Sequence, residues 1–190
     1  TFLSDAALYW KGADSNRFQF RVNYSNSSRG LPGAVVYYNP YSNQHLWNKD
    51  LLFQSSYQQH FKNGMQLLLN GKFSRNHLRY LDPDYLNLSG ELDQRFRQIE
   101  LYESAALSFP ISKTWEVSLA SDIAFNKLNT NLYNYAYPTR LTFLNAVASK
   151  LTINKLILQA NLLNTTVSET VKTHLPTPSK SIWSPAISLS

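Results

Sequence analysis

Hydrophobic and polar positions alternate with a period of two along most of the chain, and helical spacing is almost absent. Phe18, Phe20 and Val22 alternate with Gln19 and Arg21, for example. Successive strand side chains point to opposite faces, so each run has one apolar and one polar side. The pattern predicts strands over residues 5–11, 17–25, 47–60, 65–75, 98–109, 114–126, 140–151 and 155–165, with the truncated start of another at 182–190.

Strand length favours a membrane barrel over an ordinary globular sheet. Several predicted runs are 11 to 14 residues long, whereas globular strands usually have about five or six. A tilted strand needs about 9–11 residues to cross a bilayer. The runs near 98–109 and 140–151 are less regular, because Glu103 interrupts the first and the second fits either phase.

The links between the predicted strands alternate between short and long. Lys62-Asn63-Gly64 predicts a tight hairpin with a type I′ turn, because Asn and Gly tolerate positive φ. This alternation puts tight turns at one end of the sheet and long loops at the other, as in outer-membrane barrels. A soluble sandwich or lipocalin-like barrel is the alternative. The long links are predicted near residues 26–46, 76–97, 127–139 and 166–181.

The chemistry of the two strand faces favours the same choice. A face rich in Gln, Asn, Ser and Arg is costly in a dry sandwich core but suits a wet lumen. Trp10, Trp47 and Trp115 lie at or near predicted strand ends, where the aromatic girdles of membrane barrels form. The sequence therefore predicts an antiparallel up-and-down transmembrane β-barrel.

Composition excludes several classes. The 190 residues include no cysteine, which removes disulfides, thiolate zinc sites and a cysteine nucleophile. No apolar run approaches the roughly 18 residues of a membrane-spanning helix. The net charge of +6 is dispersed along the chain, so no nucleic-acid partner is expected.

Catalytic motifs are not found. The four histidines, His45, His60, His77 and His174, have no i,i+4 partner, and no GxSxG, P-loop or Rossmann pattern occurs. The acidic residues between 82 and 93 lack EF-hand spacing and are expected in a solvated loop. We therefore expect no enzyme, no metal and no cofactor.

One long loop carries the candidate ligand contacts. Residues 29–33 read R-G-L-P-G, and turn-forming glycine and proline should structure the tyrosine-rich segment that follows. Tyrosines with adaptable polar neighbours make good contact surfaces, although a loop packing on itself is the equal alternative. The candidate ligand-binding residues are Arg29, Tyr37, Tyr38, Asn39 and Tyr41, together with Arg140.

Two longer runs resemble a known family. The runs N-Y-S-N-S-S-R-G-L-P-G at 23–33 and N-Q-H-L-W-N-K-D-L-L-F-Q-S-S-Y at 43–57 are similar to the barrel region of TonB-dependent outer-membrane receptors, particularly the vitamin B12 (cobalamin) receptor-like group. The run Q-I-E-L-Y-E-S-A-A-L-S-F at 98–109 extends the resemblance.

The resemblance implies a bacterial outer-membrane transporter. Such receptors have a 22-stranded barrel plugged by an N-terminal domain, and their loops capture cobalamins or siderophore complexes. Residues 1–190 are then a partial barrel domain of about eight or nine strands without the plug. The implied partners are outer-membrane lipid, a scarce small-molecule nutrient, TonB through the absent N-terminal part, and a surface lipoprotein. The alternatives are a complete small outer-membrane barrel with an adhesion or structural role, and a soluble all-β binding module.

Overall fold

A computed structural model describes residues 1–12, 16–32, 43–172 and 177–190. These residues form one antiparallel sheet of nine strands in sequence order. The strands are β1 (Phe2–Lys11), β2 (Arg17–Gly30), β3 (His45–His60), β4 (Gln66–Asp82), β5 (Leu92–Pro110), β6 (Trp115–Thr130), β7 (Thr139–Ile153), β8 (Leu156–Thr170) and β9 (Thr177–Leu189). The all-β, up-and-down architecture predicted from the alternation is confirmed, and β1 and β9 are the edges of an open sheet.

The strict alternation of short and long links is also confirmed. The β1–β2, β3–β4, β5–β6 and β7–β8 links lie at one end of the sheet, and the last of these is only Asn154-Lys155. The β2–β3, β4–β5, β6–β7 and β8–β9 links lie at the other end and are longer. We call these the turn end and the loop end.

The predicted strand boundaries are wrong at the loop end. β2, β4, β6 and β8 run four to seven residues further than the alternation indicates. The intervals between the strands at this end are therefore residues 31–44, 83–91, 131–138 and 171–176. On β4, Arg75, His77 and Arg79 replace the apolar residues of the alternating pattern. The backbone ladder continues past them, because interstrand hydrogen bonds do not depend on side-chain polarity.

The predicted turn type at residues 62–64 is also wrong. Gly64 has a φ of +83°, but Asn63 does not have the positive φ that a type I′ turn requires. The amide of Phe61 donates to the carbonyl of Met65 at 2.8 Å, so the connection is wider than two residues. A wider loop with a left-handed glycine near its end is the common three- to five-residue form of hairpin.

A single sheet gives the described residues no conventional core. None of their apolar side chains is fully buried, and the buried polar residues are Ser74 and Asn164. Leu119, Val147 and Leu162 are 44%, 46% and 40% exposed in the middle of their strands. This apolar surface therefore requires an environment that covers it.

Candidate functional site

The strand register sorts the side chains into two chemically different faces. Directly opposed residues lie on one face, and every second residue along a strand shares that face. One row of opposed residues is apolar on six consecutive strands, and we name its side of the sheet the apolar face. The row consists of Val22, Phe53, Phe73, Leu101, Phe125 and Leu141. The opposite side, the polar face, carries Asp5, Arg21, Asp50, Lys72, Glu100, Asp122 and Arg140.

Hydrogen bonds and ion pairs cross the polar face from strand to strand. Lys72 Nζ on β4 lies 2.8 Å from Glu100 Oε2 on β5, and the nearly buried Ser74 donates its hydroxyl to the same oxygen at 3.2 Å. Tyr102 donates its hydroxyl to Asp122 on β6 at 3.0 Å. These contacts fix the side chains without an apolar layer above them.

Asp50 is the acceptor at the centre of a polar cluster on this face. Its Oδ1 accepts from the Asn76 amide at 2.7 Å, and its Oδ2 accepts from Asn48 at 2.8 Å and Ser25 at 3.1 Å. The cluster joins three neighbouring strands through donors that remain partly exposed. The three donors to this carboxylate are all neutral groups.

A recess lies around this cluster on the polar face. It has a volume of about 710 Å³, lies in the half of the sheet nearer the loop end, and is lined by Asn23, Asp50, Lys72, Asn76 and Glu100 among others. Amides, carboxylates and one ammonium group offer both donors and acceptors to a polar molecule. A second recess of about 410 Å³ lies nearer the turn end and includes Arg21, Gln54 and Tyr102.

Arg140 lies in a separate recess on the polar face. Its guanidinium is 3.3 Å from the Glu169 carboxylate on β8, and the recess of about 380 Å³ also contains Gln98 and Asn126. The Arg140 side chain is 55% exposed. An exposed pair of this kind contributes at most about 1 kcal/mol to stability, so the guanidinium can exchange its partner for an anionic ligand at little cost.

The structure does not bring the predicted ligand-binding residues together. Arg29 lies on the polar face near the end of β2, opposite Leu46, and four strands separate β2 from the strand of Arg140. Tyr37, Tyr38, Asn39 and Tyr41 lie outside the described residues. The ligand-binding role of all six residues therefore stays a prediction.

Sequence reasoning missed the Asp50 cluster and the Lys72–Glu100 pair. The polar phase of the strands marks these residues as facing one side. Which of these side chains contact one another depends on the register between neighbouring strands. The sequence does not determine that register where the strands are joined by a loop of uncertain length. The short hairpin between β3 and β4 is the one place where the sequence could have shown that Asp50 faces Asn76.

At the loop end, the apolar face changes into a surface of ionic groups. Asp93 accepts two hydrogen bonds from Arg79, at 2.9 and 3.0 Å, and three from Arg95, of which the shortest is 2.5 Å. Hydrogen bonds from Arg95, then Arg79, hold the pKa of Asp93 well below its ordinary value. The Arg79 guanidinium also lies 4.9 Å from the ring centroid of Trp47, which is a cation–π contact.

The acidic residues predicted in one solvated loop are divided between strands and loop. Asp82 ends β4 and Asp93 belongs to β5, whereas Asp84 and Glu91 lie in the link. Within the described ranges, no group of three or more His, Asp or Glu side chains is arranged to hold a metal ion. The same residues include no helix that is long and apolar enough to cross a membrane.

Comparison with known proteins gives no identification. No protein-family model matches the chain, and no curated protein matches its sequence. The fold class is a nine-stranded antiparallel up-and-down sheet with one polar and one apolar face.

Proposed function

We propose that the chain is a barrel segment of a TonB-dependent outer-membrane receptor that captures and imports a scarce nutrient, such as a cobalamin or a siderophore complex. The observation that carries the proposal is the division of one sheet into a polar and an apolar face. The apolar face is the lipid contact and the polar face lines the lumen. The activity is transport without a catalytic step, and its place is the bacterial outer membrane.

Tryptophans at the turn-end limit of the apolar face support its contact with lipid. Trp10 and Trp115 lie on this face at the turn end, whereas Trp47 lies on it at the loop end, beyond Lys49 and outside the apolar band. Indole rings favour the boundary between hydrocarbon and headgroups, where one part of the ring is apolar and its N–H is hydrated. Two such girdles enclose the apolar band of an outer-membrane barrel.

The stagger of the strands supports closure into a barrel. The register row that begins at Arg17 on β2 reaches Ala146 on β7, seven residues before β7 ends at Ile153. This stagger is about 1.4 residues per strand. With a rise of about 3.4 Å per residue and a distance of about 4.8 Å between neighbouring strands, it corresponds to a strand tilt of about 45° from the barrel axis. Transmembrane barrels have strand tilts of about 35–45°.

The height of the apolar band fits a bilayer at this tilt. On β6 the band runs from Trp115 to Phe125 and is interrupted by Ser121. Ten residue steps of about 3.4 Å at a tilt of about 45° span roughly 24 Å. The apolar band of outer-membrane barrels is about 25 Å tall, so the strands are long enough to cross and to extend beyond the membrane at the loop end.

Ligand capture is proposed at the loop end of the polar face. The recess around Asp50 and the exposed Arg140 lie on this side of the sheet, below the loops. Arg29 or Arg140 would meet an anionic group of the ligand, and Tyr37, Tyr38 and Tyr41 would supply ring surface. We also propose TonB and a surface lipoprotein as partners. The proposed receptor includes a plug domain outside these 190 residues.

Single cysteines test which face meets lipid, because the chain has no native cysteine. We would place Val147→Cys on the apolar face and the neighbouring Ala146→Cys on the polar face, and fold each variant into vesicles. A charged, water-soluble thiol reagent should modify Ala146→Cys, whereas only a lipophilic maleimide should modify Val147→Cys. Equal reaction of both positions with the charged reagent would overturn the assignment of the faces.

Nutrient capture requires a separate measurement. Cells that produce the receptor would be tested for uptake of radiolabelled cyanocobalamin and of a ferric siderophore, with Tyr37, Tyr38 and Tyr41 replaced together by alanine. We expect uptake of one of the two to fall at least tenfold. The matched control is Lys62→Ala with Lys113→Ala at the turn end, which should leave uptake unchanged. Unchanged uptake in the triple variant would refute the role of the tyrosines.

The gene that encodes the chain gives the most direct test of the receptor class. We expect its reading frame to encode a signal peptide, a TonB-contacting segment and a plug domain before Thr1. A frame without them would exclude a TonB-dependent receptor, even if the cysteine experiment supported a membrane barrel.

A further inference from the structure

A group of basic side chains lies on the apolar face, beyond the apolar band at the loop end. We call it the basic patch. The patch stands out because the same face carries mainly apolar residues between it and the turn end, with Glu103, Ser55, Ser121 and Asn145 among the exceptions. It consists of Lys49, Arg75, His77, Arg97 and Lys127.

The register places these residues beside one another on four neighbouring strands. Lys49 on β3, His77 on β4 and Arg97 on β5 form one row of directly opposed residues. In the adjacent row, Arg75 and Lys127 stand on either side of Ile99. Side chains opposed in this way have Cβ atoms about 5 Å apart, so their charged groups can reach a single anion together.

A recess lies at the centre of the basic patch. It has a volume of about 400 Å³ and is lined by Tyr24, Lys49, Leu51, Arg75, His77 and Arg97, together with Asp50. Both carboxylate oxygens of Asp50 accept hydrogen bonds within the cluster on the polar face. The recess has enough room for a phosphate group and part of the molecule that carries it. Tyr24, which is paired with Leu51, adds an aromatic side chain to the lining.

The positive charges of the patch are not neutralised within the described residues. None of the salt bridges in this part of the chain includes Lys49, Arg75 or Arg97. Asp93 lies on the same face, but it is occupied by Arg79 and Arg95. Like charges opposed across strands destabilise a sheet, and an anion in the recess removes that cost.

The ionisation of His77 reflects the same local field. Burial, followed by the charges of Arg97, Lys49, Arg95 and Arg75, lowers the pKa of His77. His77 lies four residues beyond Phe73, the last apolar residue of this face on β4 before the basic residues, and so stands outside the apolar band. A neutral imidazole at neutral pH can donate one hydrogen bond to a phosphate oxygen.

The neighbourhood of the patch indicates which kind of anion fits. Leu51, Phe73 and Ile99 adjoin the patch on the side of the band, so a molecule bound there meets basic groups at one end and apolar groups at the other. Basic clusters next to a membrane-embedded surface bind lipid headgroups. Arginine binds phosphate through two parallel hydrogen bonds.

We propose that the basic patch binds the phosphate groups of a phosphorylated lipid in the outer leaflet, with the acyl chains of that lipid against the apolar band. The proposal rests on the proposed function, because it takes the apolar face as the lipid contact and the loop end as the outer side. It adds a specific lipid site on the outside of the sheet, distinct from ligand capture on the polar face.

Native mass spectrometry of the detergent-folded chain with diphosphoryl lipid A tests the proposal. The test variant combines Lys49→Gln, Arg75→Gln and Arg97→Gln. The control combines Arg17→Gln, Lys113→Gln and Lys150→Gln near the turn end, and it removes the same charge. We expect about 10- to 100-fold weaker lipid retention in the test variant and less than twofold change in the control. Equal losses in both would overturn the proposal, because net charge alone would then explain the binding.

Two further arms separate the lipid from free phosphate and binding from folding. Inorganic phosphate at millimolar concentration should not displace lipid A; complete displacement would overturn the lipid part of the proposal. Heat-modifiable migration in gel electrophoresis shows whether each variant folds. If the triple variant does not fold, Arg75→Gln and Arg97→Gln are tested as single variants, and each is expected to retain lipid A about threefold more weakly. Unchanged retention in both single variants would also overturn the proposal. If the cysteine experiment places the apolar face in lipid while lipid retention is unaffected, only the lipid site is refuted.

Discussion

An arginine placed at two neighbouring positions of β6 gives the sharpest test of the two faces. Leu119 lies on the apolar face and Ala120 on the polar face, one residue apart. In a bilayer, Leu119→Arg should lower the free energy of unfolding by about 2–4 kcal/mol, the cost of arginine facing lipid near the midplane. Ala120→Arg should lower it by less than about 1 kcal/mol, because a wet lumen hydrates the guanidinium.

The size of this difference follows from the structure. Leu119 is four residues from Trp115 on a band of roughly 24 Å, so it lies about 10 Å from one limit and close to the midplane. It is 44% exposed, so little packing is lost when it is replaced. Ala120 adjoins a recess of about 240 Å³ bordered by Ala106 and Ala146, which gives the longer side chain room.

The assay is guanidinium unfolding of the chain in lipid vesicles, followed by the fluorescence of its four tryptophans. In a soluble sheet, an exposed substitution away from special features usually changes stability by less than about 0.5 kcal/mol. Equal effects of Leu119→Arg and Ala120→Arg, or a cost at Leu119 below that value, would refute the assignment of the apolar face to lipid.

Three further predictions concern single residues. Asp93→Asn should lower the free energy of unfolding by about 1 kcal/mol at pH 7. Because the pKa of Asp93 is depressed in the folded chain, the difference in stability between the variant and the native chain should shrink as the pH falls below about 4. Acid titration of the native chain and of the variant measures this change. Gly64→Ala should lower the free energy of unfolding more than Gly90→Ala does, as measured by denaturant unfolding. Both glycines have a positive φ, which destabilises any residue with a Cβ by about 1–2 kcal/mol, but a Cβ at Gly64 would also lie 2.9 Å from the Pro110 ring. Equal losses of stability in the two variants would contradict this prediction. Gly71→Ala should cost about 1 kcal/mol, because its Cβ would lie 2.8 Å from the Ser55 hydroxyl and 3.0 Å from the Glu103 carboxylate, two side-chain ends that can shift. A double-mutant cycle with Glu103→Ala should recover part of this loss, and full additivity would contradict the contact.

The sequence allowed the strands to be predicted because an exposed apolar face leaves a period-two pattern. That signal persists on β6 from Trp115 to Phe125 and stops where Lys127 replaces the next apolar residue. The strand continues to Thr130 because its partner still supplies hydrogen bonds. Polarity patterns therefore locate the apolar band within a strand more reliably than the end of the strand.

The candidate site was less predictable than the sheet. The pairing of Lys72 with Glu100 requires the register between β4 and β5, and the nine-residue link between them does not determine that register. The basic patch has the same origin, since its members come from four strands and no two are adjacent in sequence. Its signal in the sequence is a basic residue in the phase of the apolar positions, as where Arg75 follows Phe73 and Lys127 follows Phe125.

The strand order has a consequence for how such a chain folds. Each strand contacts only the strands next to it in sequence throughout the described residues. Pairing can therefore proceed one hairpin at a time, and each step closes a short loop at a small entropic cost. If one hairpin is added or removed, every other strand keeps its direction and keeps the same side chains on the polar and the apolar face. A sheet of this kind can be lengthened by duplication of two-strand units without rearranging the strands already present.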